Sequence, residues 1–188
     1  MSHMSRTQFS QFLETLPEFA DFSPSELDTL ERIMLVRNYP DGYEFIREGG
    51  SPHGVFLAIE GEIAVTHTRA NGRGAVELNR MHPGELFGLA ALIDHGHCSA
   101  SCRASGNVRV AFLPRAAFKL LYSANSPLAG HFLRMVARQL MRDYRTLVQA
   151  LCRNIFETSE AATSPELNAV LFRYTGPERR RGALAAHN

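Results

Sequence analysis

Residues 84–104 read GELFGLAALIDHGHCSASCRA and gather the chain's densest set of groups able to hold a ligand. A turn at Pro83-Gly84 leads into the apolar pair Leu86-Phe87. Gly88 then opens a helical turn to Ile93, and a strand runs from Ser99 to Ala104. Backbone N–H groups at the start of such a turn bind anions without help from side chains. Ser99 adds a hydroxyl that donates or accepts. Cys98 adds only a weak donor, and as a thiolate it would repel an anion. Leu89 offers nothing to a hydroxyl and would leave one unpaired if buried against it. The backbone of this segment can therefore hold a phosphate, while positions 88–100 carry no permanent positive charge.

His95, His97, Cys98 and Cys102 fall within eight positions, and all four residue types ligate metals. The spacing His-x-His-Cys-x3-Cys matches no zinc arrangement with a mechanical rationale, so no metal is assigned. On a strand Cys98 and Cys102 share a face with Ala100 between them. The pattern favours small buried or half-buried thiols beside exposed loop histidines, with redox sensing and metal binding as the alternatives. A catalytic thiol would need an ordered His and an acidic partner, and none can be named. No paired acid–base arrangement occurs elsewhere, so no enzymatic activity is expected.

The surrounding elements follow from periodicity. Phe9, Phe12, Leu13 and Leu16 recur at helical spacing before Pro17, and Ser23-Pro24-Ser25-Glu26 is a capping box that starts a second helix. Its apolar face is Leu27, Leu30, Ile33 and Met34. From Val36 to Pro114 the period is two. The segments Tyr43–Arg47, Val55–Ile59, Glu62–Thr68, Val76–Met81, Leu86-Phe87, Ser99–Ala104 and Val108–Leu113 contribute to about eight short strands, the pattern of a sandwich or jelly-roll barrel. Glu60-Gly61 is expected to join two of them as a turn, and Ala70-Asn71-Gly72-Arg73-Gly74 to close a hairpin. A short helix over 114–122 precedes the longest one, from Ser126-Pro127 to about Arg153. Along it Leu133, Ala137, Leu140, Tyr144, Leu147 and Leu151 are spaced 4, 3, 4, 3, 4, the seam of a two-helix coiled coil. Val136, Met141 and Val148 widen that stripe enough to pack on a core as well.

The strand order, the cassette at 84–104, the run Glu60-Gly61-Glu62-Ile63-Ala64-Val65 and the long helix together make residues 36–152 resemble the cyclic nucleotide-binding domain of Crp/Fnr-type regulators, the catabolite activator among them. The resemblance implies a mainly β fold with flanking helices: a jelly-roll-like β-barrel followed by a long helix that dimerises. It implies a cyclic nucleotide ligand (cAMP, cGMP or a cyclic dinucleotide) and no further cofactor. In that family the cassette opens with Gly-Glu and closes with Arg-Ser/Thr-Ala; here the residues are Gly88-Leu89 and Cys98-Ser99-Ala100. The carboxylate for the ribose and the guanidinium for the cyclic phosphate are both replaced. Each charge-assisted bond so lost is worth roughly 1.5–3 kcal/mol. Carried over by resemblance, the ligand positions are Gly88, Leu89, Ala90, Cys98, Ser99, Ala100, Asp143 and Tyr144, the last two where family members contact the purine edge. A carboxylate at Asp143 accepts from adjacent N–H donors, which guanine presents and adenine does not. The competing reading is a solvent-facing Asp beside a seam Tyr.

A net charge of +1 gives no general attraction to nucleic acid. About 35 residues follow the long helix, roughly half what a helix-turn-helix reader needs, so no direct sequence-specific DNA binding is expected. Three cysteines without a disulfide-scaffold spacing suit a reducing compartment. No signal peptide or spanning segment is seen, so the expected location is cytoplasmic, off the membrane. The expected organisation is a cloning scar at 1–4, a helical lead-in at 5–35, a barrel sensor at 36–125, a dimerisation helix at 126–153 and a tail at 154–188. The tail holds one short helix and the basic group Arg173, Arg179, Arg180 and Arg181, either a solvated end or a docking peptide. The function expected is a stand-alone, homodimeric signalling module that senses a nucleotide second messenger and relays it to a protein partner. The alternative is an interaction protein of the same fold whose pocket is filled by Leu89 and Cys98.

Overall fold

Two serine caps start the lead-in helices. Ser5 Oγ accepts from the N–H of Gln8, whose side chain accepts from the Ser5 N–H, opening α1 (Arg6–Thr15). A single 3₁₀ turn follows at Pro17–Phe19. At the predicted capping box the Glu26 carboxylate accepts from Ser23 N and Ser23 Oγ and opens α2 (Pro24–Ile33). These features come from a computed structural model, which describes residues 4–51, 53–69, 72–89, 97–124 and 126–158, without the side chains of residues 6, 146, 147 and 150–158.

Six strands are present among the described residues: β1 (Leu35–Tyr39), β2 (Glu44–Ile46), β3 (Gly54–Thr68), β4 (Ala75–Met81), β5 (Leu86–Phe87) and β6 (Ser101–Pro114). All pairings are antiparallel, in the order β1-β6-β3-β4, with β2 also on β6 and β5 on β3. Two expectations are corrected here. Val55–Ile59 and Glu62–Thr68 are one strand, and so are Ser99–Ala104 and Val108–Leu113, apart from the first two residues. The β3–β6 ladder runs through Glu60-Gly61 with register shifts at Ala58/Glu60 and Glu60/Glu62. Gly61 takes φ +79°, and a Cβ there would lie 2.8 Å from both the Asn107 carbonyl and Val108 Cγ1. The glycine that suggests a turn in sequence makes a bulge, which bends paired strands without parting them.

Period two along β3 sorts its side chains between two cores. Val55, Leu57 and Ile59 pack with Phe9, Leu13, Leu27 and Leu30 of the lead-in helices and with Phe118 and Phe132 further on. Phe56, Ala58 and Ile63 turn the other way, into the barrel, with Phe87, Cys102, Ala104, Val108 and Val110. The barrel interior is largely rings. Phe56 stacks on Phe87 (5.0 Å) and Phe112 (4.7 Å), Phe45 meets Phe56 and Phe87 edge-on (5.5 Å each), and Tyr39 and Tyr43 close the series.

Helix α3 (Arg115–Ser123) buries Phe118, and α4 runs from Pro127 to Thr158. The chain divides into two compact units, Met1–Val136 and Ala137–Asn188. In the first, α4 buries Leu128, Ala129, Phe132, Met135 and Val136, with Leu133 half-buried on the same core. In the second, Ala137, Leu140, Met141 and Asp143 are exposed and Tyr144 is half-buried. No helix among the described residues is long and apolar enough to cross a membrane.

Candidate functional site

The cassette leaves the sheet through β5, where Phe87 is opposite Phe56 and Leu86 opposite Leu57. Phe87 is thereby fixed in the barrel, and the next residue must turn sharply away. Gly88 does so at φ +78°; a Cβ there would lie 2.9 Å from the Gly54 carbonyl oxygen and 3.0 Å from Ile46 Cδ1. Leu89 is buried in the helix-side core, not in the barrel cluster. Ala90 and His95 lie outside the described residues.

The segment resumes at His97, which is exposed. Cys98 is stitched to the loop after β2: its N–H donates to the Gly50 carbonyl (2.9 Å) and its carbonyl accepts from Gly49 N–H (2.8 Å). Burial pushes the half-buried Cys98 thiol above its ordinary value. Cys102, inside the barrel, is pushed up to about 12 by burial, with Cys98 adding to it. Both remain protonated thiols at neutral pH and so are poor nucleophiles. Among the described residues no group of three or more His, Cys, Asp or Glu is placed to hold a metal ion.

Ser99 is exposed and Ala100 half-buried. The Ser99 carbonyl lies 3.2 Å from Nδ1 of His67, near the end of β3. The same Nδ1 is 3.1 Å from Oε1 of Glu48, whose other oxygen accepts from Thr68 N–H (2.8 Å) and Thr68 Oγ1 (3.0 Å). The Glu48 N–H donates to Ser101 Oγ (2.9 Å). The Thr68 N–H leads the contacts that hold the Glu48 carboxyl below the usual range. No sequence motif marks the Glu48–His67–Thr68 group. Its available signal was the alternation Ile63, Val65, His67, which puts His67 on the barrel-facing side of its strand.

The arginines flanking the site are engaged elsewhere: Arg103 (2.5 Å) and Arg47 (2.6 Å) both pair with Glu44, and that bonding, Arg103 first, keeps the Glu44 carboxyl low. A groove of about 320 Å³ lies apart from the cassette, against α1 and the Glu60–Arg109 ion pair. Asp143 and Tyr144 belong to the second unit. Of the seam residues, Leu147 and Leu151 have side chains outside the description; Arg173, Arg179, Arg180 and Arg181 lie outside the described residues.

The cyclic nucleotide-binding domain model matches residues 36–125. The cAMP-dependent protein kinase type II regulatory subunit of Drosophila melanogaster is 27% identical over 117 residues, covering 62% of this chain and 30% of its own length. The cyclic AMP receptor protein of Thermus thermophilus is 28% identical over 124 residues, covering 66% and 57% respectively. The chain thus spans less than two thirds of the length of these curated relatives. Among solved structures, a cyclic nucleotide-binding domain from Methylobacillus flagellatus superposes with a TM-score of 0.69 at 24% identity, over 85% of this chain and 86% of that one. The Thermus thermophilus catabolite activator protein superposes with a TM-score of 0.60 at 27% identity, over 72% and 63%.

Proposed function

The chain belongs, through residues 36–125, to the cyclic nucleotide-binding domain family, and we propose that it is a regulatory module, without catalysis of its own, that senses a cyclic nucleotide at residues 84–104. The carrying observation is the anchoring of the two described ends of the segment, without the family's charged side chains: Gly88 is wedged on the Gly54 carbonyl, and Cys98 is pinned to Gly49 and Gly50. Such a site holds its ligand through N–H groups and Ser99. Ligand binding shifts a population, and α4, rooted in the barrel unit by Phe132 and Val136, carries the change to a second copy and on to a protein partner in the cytoplasm. The names of the relatives, a kinase regulatory subunit and a receptor protein, support a regulatory rather than an enzymatic role.

A second reading has its own observation. Leu89 does not fill the barrel pocket as that reading expects, since it is buried in the helix-side core. It offers a ligand no polar group, however, and Cys98 is an uncharged thiol, as in an interaction protein that has given up its ligand. Thermal unfolding with cAMP, cGMP and cyclic dinucleotides at ~1 mM separates the two. A ligand at about 100 times its dissociation constant stabilises by about 2.7 kcal/mol, a shift of several degrees. One nucleotide is expected to raise Tm; no shift with any of them leaves the interaction protein.

A further inference from the structure

We infer that His67, oriented by Glu48, supplies the positive charge that the cassette lacks at Cys98, and so binds the phosphate of the ligand. The inference deepens the proposed function and rests on its placing the nucleotide at residues 84–104.

Three observations converge on this residue. The first is its place on the strand. Ile63, Val65 and His67 alternate onto one face of β3, and Ile63 and Val65 are packed inside the barrel. Val65 is opposite Cys102 and Thr66 opposite Ser101, so His67 continues the interior row to the level where the cassette closes. The second is its contact with the cassette itself, Nδ1 at 3.2 Å from the Ser99 carbonyl, next to the position where the guanidinium is missing. The third is the carboxylate behind it. Glu48 Oε1 is 3.1 Å from the same nitrogen, and Glu48 is immobilised by Thr68 on its other oxygen and by Ser101 at its backbone.

These contacts fix the chemistry of the ring. Nδ1 faces two acceptors, so it carries a proton, and Nε2 is left as the working nitrogen. The side chain is 52% exposed, against 24% for Glu48, so an anion can reach the ring more easily than the carboxylate. With both nitrogens protonated, the ring keeps Nδ1–H toward Glu48 and donates from Nε2–H to a phosphate oxygen. Of the charged and titratable groups on the neighbouring segments, Arg47 and Arg103 are paired with Glu44, Cys98 is a neutral thiol, His97 stands exposed on the cassette segment, and Arg69, two residues after His67, is exposed just past the end of β3. An imidazolium differs from a guanidinium in one measurable respect. An imidazolium can give up its charge and an arginine cannot, so only the former makes anion binding sensitive to pH.

The test is isothermal titration of the full chain with cAMP, cGMP and inorganic phosphate at pH 6.0 and 8.0, for the native protein and for His67→Gln and His67→Arg, with unliganded melts to confirm folding. The expected result is binding about tenfold or more tighter at pH 6.0 than at pH 8.0, lost in His67→Gln, and kept without pH dependence in His67→Arg. Nucleotide binding that is unchanged in His67→Gln overturns the role of His67 and leaves the proposed function standing. Phosphate binding that follows His67 while no nucleotide binds supports the anion site and overturns the nucleotide reading. No binding of any probe overturns both.

Discussion

Gly88 is the residue at which the cassette can be broken without touching a charge. Its φ of +78° costs an L-residue about 1–2 kcal/mol, and the Cβ of an alanine would sit 2.9 Å from the Gly54 carbonyl, a backbone atom with little room to give. Gly88→Ala is therefore expected to lower stability by roughly 2–3 kcal/mol, read as a lower urea midpoint with an unchanged slope. A variant as stable as the native protein would mean that the turn at 88 relaxes freely and the cassette is not pre-formed. At this scale the sequence was informative about losses and silent about replacements. Leu89 and Cys98 are visibly not a carboxylate and a guanidinium, because a residue type is its own evidence. Glu48 and His67 stand 19 positions apart, and only the β3–β6 register and the loop after β2 bring them to Ser99. No local pattern encodes that meeting.

Elements are joined in the first unit by a residue that serves twice. Glu26 completes the capping box of α2 and also meets His131 of α4, Oε1 to Nδ1 at 2.8 Å. That contact provides a partner to two side-chain atoms that otherwise have none. Burial is the largest influence on the Glu26 carboxyl and pushes it up, but the Ser23 N–H, the Ser23 hydroxyl and His131 together pull it below 4.5. A carboxylate depressed in the folded state contributes stability that is fully present above its unfolded value and is lost as pH falls through the folded one. Urea unfolding between pH 6 and pH 3 should therefore show the native protein losing stability below about pH 4.5 more steeply than Glu26→Gln. Parallel curves would mean that the clamp contributes no pH-linked stability. The helix starts were legible because a cap is a local signal, Ser23 and Glu26 lying three residues apart. The strand count was not, since Gly61 bends a strand with the same residue type that ends one.

At the scale of the whole molecule, the outcome depends on which face of α4 is left over once the barrel unit has taken its share. The core uses Leu128, Phe132, Met135 and Val136. Of the heptad row, Leu133 packs on that core as well, while beyond Val136 Ala137 and Leu140 are exposed, with Met141 beside them. Exposed Leu140 and Met141 beside the small Ala137 form an apolar surface that a second identical helix can cover. The proposed homodimer then predicts a light-scattering mass of twice 20.9 kDa for the native chain. A Leu140→Asp variant should run at the single-chain mass, because a carboxylate in the seam must be desolvated opposite its own copy. Its barrel should keep its urea midpoint, since Leu140 lies outside the Met1–Val136 unit. Equal masses for the two proteins would remove the seam and with it the route from nucleotide to partner. A monomeric variant that still binds nucleotide would instead show that sensing belongs to the barrel and relay to the helix.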